Sequence, residues 1–320
     1  MGFLVNGEWS TDGTVFASAG GAFERKQSSF RNWVTPDGTP GPTGTGGFAA
    51  EAGRYHLYVA MACPWAHRTL IFRALKELET LIPVSVVDPK MPDEHGWMFT
   101  GENGSTNDAV NGARTMWQVY LTADPRFSGR ATVPVLWDKK TGTIVSNESA
   151  DIIRMFNSAF DGLTGNAVDF YPAPLRNEID AVNARVYDSV NNGVYKTGFA
   201  TRQAAYDEAV TALFDTLDWL EARLDRHDYL VGDTLTEADW RLFTTLVRFD
   251  AVYHGHFKCS RRRIADYKNL SRLLKRLYRH PGVAETVDLD AIRTHYYWSH
   301  ASINPHRIVP IMPDLPFLRG

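Results

Sequence analysis

The sequence predicts an α/β domain followed by an all-helical one, and three observations carry that expectation. Strand-patterned and helix-patterned segments alternate from Tyr55 to Asn157. Strand signals nearly vanish beyond Tyr171-Pro172-Ala173-Pro174, and 320 residues make two domains at roughly 150 residues each. Ahead of both, the first 50 residues read as an arm, because Thr39 to Gly47 is Gly-rich with Pro40 and Pro42 and packs no core of its own. Aromatics scattered through it (Phe16, Phe23, Phe30, Trp33, Phe48) predict that the arm lies on the body of the protein. The boundaries are set at 1–50 for the arm, 51–160 for the α/β domain, 161–175 for a linker and 176–320 for the helical domain.

Tyr55 to Ala60 alternates and is rich in strand formers. Pro64 to Glu79 puts Leu70, Ile71, Ala74, Leu75 and Leu78 on one helical face, and Pro83 to Val87 is a second short strand. A helix is expected around Thr115–Leu121. Thr132–Trp137 and Thr143–Val145 read as a hairpin pair, and Ser149–Asn157 as a closing helix. In the second domain Leu175–Asn191, Thr201–Asp225, Glu237–Phe249 and Ser271–Tyr278 read as helices. Thr236 to Asp239 fits a capping box, with Leu235 and Trp240 placed to staple it; we read it as structural.

Composition narrows the function classes. Hydrophobic residues at 44% and charged residues at 22% are ordinary globular usage, against wholesale disorder. A formal net charge of −3 lacks the basic excess of a dedicated nucleic-acid binder. Cys63 and Cys259 are too few for a disulfide framework and point to a reducing compartment. No secretory signal opens the chain, Asn6 stands where myristoylation wants Ser or Thr, and no membrane-spanning apolar run occurs. The expectation is a cytoplasmic protein.

The chemistry concentrates at Ala62-Cys63-Pro64-Trp65-Ala66-His67-Arg68. A cysteine after a strand, with proline at the first helical position, meets the unpaired N–H groups and positive end of a helix, which stabilise thiolate over thiol. His67 and Arg68 can add positive potential. Lone cysteines are commonly small buried hydrophobes; the strand–Cys–Pro–helix junction favours a reactive thiol. Position 66 is Ala, where a dithiol redox protein has a second cysteine, so Cys63 cannot resolve its own mixed disulfide within the motif. An outside thiol must do so, and glutathione is the abundant candidate.

Val133-Pro134 is the second element. A proline in an apolar strand calls for a strand edge or a cis bond, and the local sequence leaves both open. If cis in a thioredoxin-type sheet, it exposes the Val133 backbone to pair with the cysteine of glutathione. Glu148-Ser149 is the third: a helix N-terminus with a serine hydroxyl suits a carboxylate and Glu148 an ammonium, the two charges of a γ-glutamyl head. Alone, Ser149 would simply be an N-cap. His254-x-His256-x-x-Cys259 matches neither zinc-finger nor HExxH spacing and is read as surface histidines, and Arg261-Arg262-Arg263 as a solvated face.

Together these pieces resemble the glutathione transferases, and within them the glutathionyl-hydroquinone reductases (Xi class). The matching segments are MACPWAHR at 61–68, ADPRFSGRATVPVLWD at 123–138, NES at 147–149, LVGDTLTEADWRLF at 230–243, RFDAVYHGHFKC at 248–259 and HYYWSHASINPHRIVP at 295–310. The resemblance spans essentially the whole chain. It implies a thioredoxin-like N-terminal domain, an all-α C-terminal domain, a homodimer, glutathione as co-substrate and no metal. It places the nucleophile on Cys63 and glutathione contacts on Trp97, Arg130, Ala131, Thr132, Val133 and Pro134, and on Glu148 with Ser149. Substrate-side tyrosines fall on Tyr195, as acid–base residue, Tyr253, as a support for the Cys63 thiolate, and Tyr296. With 13 tyrosines in the chain, composition alone selects none of them.

The implied reaction removes glutathione from an aromatic glutathionyl-hydroquinone. Two rivals stand beside it. An omega-like thioltransferase or dehydroascorbate reductase shares the monothiol cysteine, and a non-catalytic transferase-fold interaction module would be indifferent to Cys63.

Overall fold

Asn6 and Gly7 turn the chain at φ of 50° and 87°, the left-handed pair that a tight hairpin needs. They join Phe3–Val5 (β1) to Glu8–Ser10 (β2) as an antiparallel pair inside the segment read as an arm. Leu4, fully buried, exchanges backbone hydrogen bonds of 2.8 and 2.9 Å with Gly129. Val34 and Phe48 are buried too, and Asn32 donates to the Val145 carbonyl at 2.9 Å. The computed structural model describes residues 2–12, 21, 23 and 25–319; Phe16, named above among the arm's aromatics, lies outside them.

Two compact units divide the chain. The first comprises Met1–Phe16, Gln27–Val168 and Thr286–Ser299, and the second Ala17–Lys26, Asp169–Glu285 and His300–Gly320.

In the first unit, Tyr55–Val59 (β3) leads into Pro64–Leu75 (α1) and Val84–Val86 (β4). Met116–Ala123 (α2), Val135–Asp138 (β5), Thr143–Ser146 (β6) and Ser149–Ser158 (α3) follow. The sheet order is β4-β3-β5-β6, with β3 and β4 parallel and the other pairs antiparallel. β3 is buried along its whole length, on both faces, although its sequence was read as alternating. The expected helix to Glu79 stops at Leu75. Glu77 takes φ 56°, and its N–H and that of Leu78 bond back to Ala74 and Arg73 at 3.1 and 2.8 Å, a Schellman stop without glycine. The strand expected from Thr132 begins at Val135, one residue after Pro134, which has no N–H to give a ladder. Asp161–Thr164 (α4) closes this stretch, and a helix at Leu289–Ser299 belongs to the same unit. There Ser299 Oγ accepts from Met91 N at 3.0 Å and His295 Nδ1 lies 2.9 Å from the Pro89 carbonyl.

The second unit is helical. Arg176–Val186 (α5) ends in a π-turn at Tyr187–Asn191, so the helix expected to Asn191 widens in its last turn. Gly193–Gly198 (α6), Gln203–Arg223 (α7), Glu237–Arg248 (α8) and Lys268–Tyr278 (α9) follow, α8 being extended by a second π-turn at Phe249–Tyr253. Every residue of α8 is buried, making it the unit's central helix. The Thr236–Asp239 capping box is present: Asp239 accepts from Thr236 N at 2.9 Å and Leu230 N at 2.8 Å. Among the described residues no helix is long and apolar enough to cross a membrane.

Candidate active site

Cys63 sits where β3 hands over to α1. Its N–H bonds to Ala60 O at 3.0 Å, closing a turn off the strand, and its carbonyl takes the first helical bond from His67 N at 2.9 Å. It is the N-cap residue, in extended conformation, with Pro64 following in the first turn and no capping bond from its own side chain. The first-turn N–H groups and the positive helix end are thus left to act on its surroundings. Cys63 is half-buried, whereas Cys259 is wholly buried and its thiol pushed far up by that burial. Cys63 Sγ lies 3.5 Å from the Val133 carbonyl.

The Val133-Pro134 bond is cis, and β5, which it precedes, is an interior strand between β3 and β6. The edge-strand alternative is therefore excluded. Val133 is buried, and its N–H has no backbone partner among the described residues. An extended peptide could pair there. Thr132 and Ala131 are half-buried and Arg130 is exposed.

Across the sheet, Glu148 rather than Ser149 is the N-cap of α3: its carboxylate accepts from Ala150 N at 3.0 Å. Ser149 is then the first helical residue, buried, with Arg68 Nη1 3.4 Å from its Oγ. Arg68 itself is buried with its guanidinium 4.5 Å over the Trp65 ring, and His67 is turned into the core, 2.8 Å from Thr286 Oγ1. The expected positive potential from this pair is therefore engaged at Ser149 and in the core.

Four features of this corner had no sequence signal. Ser28, from the arm, donates to the second Glu148 oxygen at 2.9 Å. Phe30 and Asn147 hold each other through Phe30 N to Asn147 Oδ1 at 3.1 Å and Asn147 N to Phe30 O at 3.2 Å. Arg31 pairs with Asp151 in the first turn of α3. Tyr120, on α2, bonds with both Thr132 and Asn147. The Asn-Glu-Ser triplet was visible in sequence, but nothing local tied it to residues 28–31 or 120.

Trp97 lies stacked on His295 at 4.6 Å between ring centroids, and its carbonyl accepts from Met116 N at 2.8 Å. Tyr296 is buried beside His295 in this same unit. Tyr195 and Tyr253 belong to the second unit, with ring centroids 6.1 Å apart; Tyr253 is fully buried and Tyr195 half-buried. Phe23, Phe199 and Phe257 surround Tyr195, and the Arg25 guanidinium lies 5.1 Å over its ring. The reading of His256 as a surface residue is corrected. It is buried against His300, 3.2 Å away, because it follows the π-turn that carries Tyr253 into the core. Arg261 to Arg263 are exposed. Among the described residues no group of three or more His, Cys, Asp or Glu could hold a metal ion.

Comparison with known proteins adds to this geometry. Residues 62–159 match the glutathione S-transferase N-terminal domain family and residues 203–276 the C-terminal domain family. The glutathionyl-hydroquinone reductase YqjG of Escherichia coli (strain K12) is 59% identical over 98% of this chain and 95% of its own. The structure of YqjG with glutathione bound aligns at TM-score 0.91 and 56% identity, covering 98% of this chain and 97% of that one. The glutathionyl-hydroquinone reductase PcpF of Sphingobium chlorophenolicum is 54% identical over 99% of this chain and 97% of its own. The Xi class transferase from Natrialba magadii aligns at TM-score 0.93 and 48% identity, covering 100% of this chain and 96% of that one. Sequence, both domain families and the fold of the cysteine unit agree, and the chain belongs to the glutathione transferases, in their Xi class of glutathionyl-hydroquinone reductases.

Proposed function

We propose that the protein reduces glutathionyl-hydroquinones to hydroquinones, using Cys63 as nucleophile and a second glutathione as reductant. The observation that carries this reading is the seat of Cys63. It is a half-buried monothiol at a helix start, 3.5 Å from the Val133 carbonyl at a cis Val-Pro bond. Ala66 removes the internal resolving thiol. The glutathione-bound state of YqjG and the names of YqjG and PcpF support the substrate class.

In the proposed cycle the Cys63 thiolate attacks the glutathionyl sulfur. The bond between that sulfur and the ring carbon, which already carries a proton in a ketone tautomer, breaks; its electron pair passes to the ketone oxygen, which takes a proton as hydroquinone leaves. An aryl carbanion is a poor leaving group, so the ring must first tautomerise to a ketone form. Tyr195 is proposed as the group that moves this proton, with Tyr253 as a support for the Cys63 thiolate and Tyr296 as a further substrate-side phenol. Cys63 is left in a mixed disulfide with glutathione. A glutathione thiolate attacks it, giving oxidised glutathione and the free Cys63 thiolate, with ping-pong kinetics. Val133 and its neighbours from Arg130 to Pro134, with Trp97, are proposed to take the cysteinyl part of the tripeptide. Glu148 and Ser149 are proposed to take the ammonium and carboxylate of its γ-glutamyl head. The working state is proposed to be a cytoplasmic homodimer without metal.

The test offers purified protein a glutathionyl-hydroquinone with excess glutathione. Hydroquinone and oxidised glutathione should appear in equal amounts. With glutathione limiting, mass spectrometry should find a glutathione adduct on Cys63, and Cys63→Ser should form none. Faster turnover of simple disulfides would favour the thioltransferase rival, and full function of Cys63→Ala would favour the interaction module.

A further inference from the structure

We infer that the Tyr120 hydroxyl is a positioning group that pins the two proposed glutathione-reading segments, Thr132–Pro134 and Glu148–Ser149, to each other through Thr132 and through Asn147, which precedes Glu148. The inference rests on the reading that these segments take the cysteinyl and γ-glutamyl parts of the tripeptide.

Tyr120 is fully buried on α2, its ring set at 5.0 Å from Phe127 and edge-on to Phe30 at 5.9 Å. Its hydroxyl donates to the Thr132 carbonyl at 3.0 Å. It accepts from Asn147 Nδ2 at 3.0 Å and from Thr132 N at 3.3 Å, and Thr132 Oγ1 stands 3.2 Å away. One proton and two lone pairs are thereby all used. Burial pushes the phenol's ionisation up, which keeps the donated proton in place.

The position of these partners gives the bonds their meaning. Thr132 immediately precedes Val133 and the cis bond; Asn147 immediately precedes Glu148. Two strands, β5 and β6, separate the segments in sequence, and Tyr120 reaches both from a third element. Asn147 cannot swivel freely, because its Oδ1 is committed to Phe30 N at 3.1 Å. A ligand that must satisfy Val133 and Glu148 at once needs the spacing between them fixed before it arrives. A preset spacing spares the ordering cost at binding. Losing the pin should therefore weaken recognition of the glutathionyl group more than the attack by sulfur.

The experiment compares two disulfides as single-turnover partners of reduced Cys63: oxidised glutathione, and 2-hydroxyethyl disulfide, which carries no peptide. In each, the Cys63 thiolate takes one half and the other half leaves as thiolate, read by mass spectrometry. In the wild type the glutathione partner should react faster. In Tyr120→Phe that preference should fall about five- to tenfold, the effect of removing one hydroxyl and its bonds to Thr132 and Asn147 from a buried network. KM for a glutathionyl-hydroquinone should rise with kcat little changed, and iodoacetamide should alkylate Cys63 at the wild-type rate. If Tyr120→Phe does not fold, Asn147→Ala keeps the phenol and its bonds to Thr132, gives up the bonds to Tyr120 and to Phe30 N, and carries the same expectation of a reduced preference. A wild-type preference retained in the folded variant overturns the pin and leaves the functional reading standing. A wild type with no preference overturns the functional reading itself.

Discussion

His56 lies in β3, one residue from its start, with its Nε2 2.8 Å from Ser85 Oγ, and burial pushes its ionisation down to about 4. The unfolded chain binds a proton near pH 6.5 that the folded chain refuses until much lower. The linkage sign follows: this contribution to stability is full above about 6.5 and is lost as pH falls through about 4, up to about 3 kcal/mol. His56→Gln should flatten the acid limb of the stability curve. Urea unfolding at pH 7 and pH 5 checks this, and equal pH dependence in the two proteins would count against it. Tyr120 and Cys63 make the complementary point about single residues. A cysteine before a proline after a strand can be read from four letters, because its environment is made by its neighbours. A tyrosine on a buried helical face reads like any core aromatic, and its hydroxyl acquires a role only when Thr132 and Asn147 arrive.

Elements decide where those residues stand. The arm segment bonds to the edge strand β6 through Asn32 and Val145 at 2.9 Å, continues past its end to Asn147, and brings Ser28 to Glu148 at 2.9 Å. Ser28→Ala should leave the proposed ammonium partner less well oriented. KM for the glutathionyl substrate should rise about two- to fivefold, with kcat nearly unchanged and Ser28→Thr restoring it. An unchanged KM would leave the arm a purely structural strap. The capping box of α8 works differently. Asp239 is wholly buried and pushed up to about 6 by that burial, although three donors face it. Its contribution to stability is full below the ordinary carboxylate range and fades as pH rises through about 6, opposite in sign to that of His56. The helix ends themselves were partly legible. The Thr236–Asp239 box is a local motif, whereas the stop of α1 at Leu75 depends on Glu77 adopting φ 56° with no glycine to announce it. The helix Leu289–Ser299 escaped periodicity because its buried positions include His295 and Ser299, polar residues that blur an apolar stripe. α6 escaped because glycines stand at both its ends.

On the scale of the whole molecule, the two thiols are distinguished by burial: Cys63 is half-buried in the first unit and Cys259 is wholly buried in the second. A native thiol titration should count one reactive group per chain, and a titration in denaturant two. Two fast thiols in the native protein would contradict the described burial of Cys259, and none would remove the nucleophile. What the amino-acid order alone determined is what neighbours in sequence can decide: strand before helix, proline after cysteine, alanine in place of a resolving thiol, and an α/β half followed by a helical one. What tertiary structure decided is every pairing across long separations in the chain. It made Val133-Pro134 cis just ahead of an interior strand, brought residues 28–31 to Asn147–Asp151, and placed Thr286–Ser299 in the first unit. The physical reason is that turns and helix starts depend on dihedral preferences within a few residues. A hydrogen bond between distant segments exists only after packing has put both partners out of water and within reach of each other.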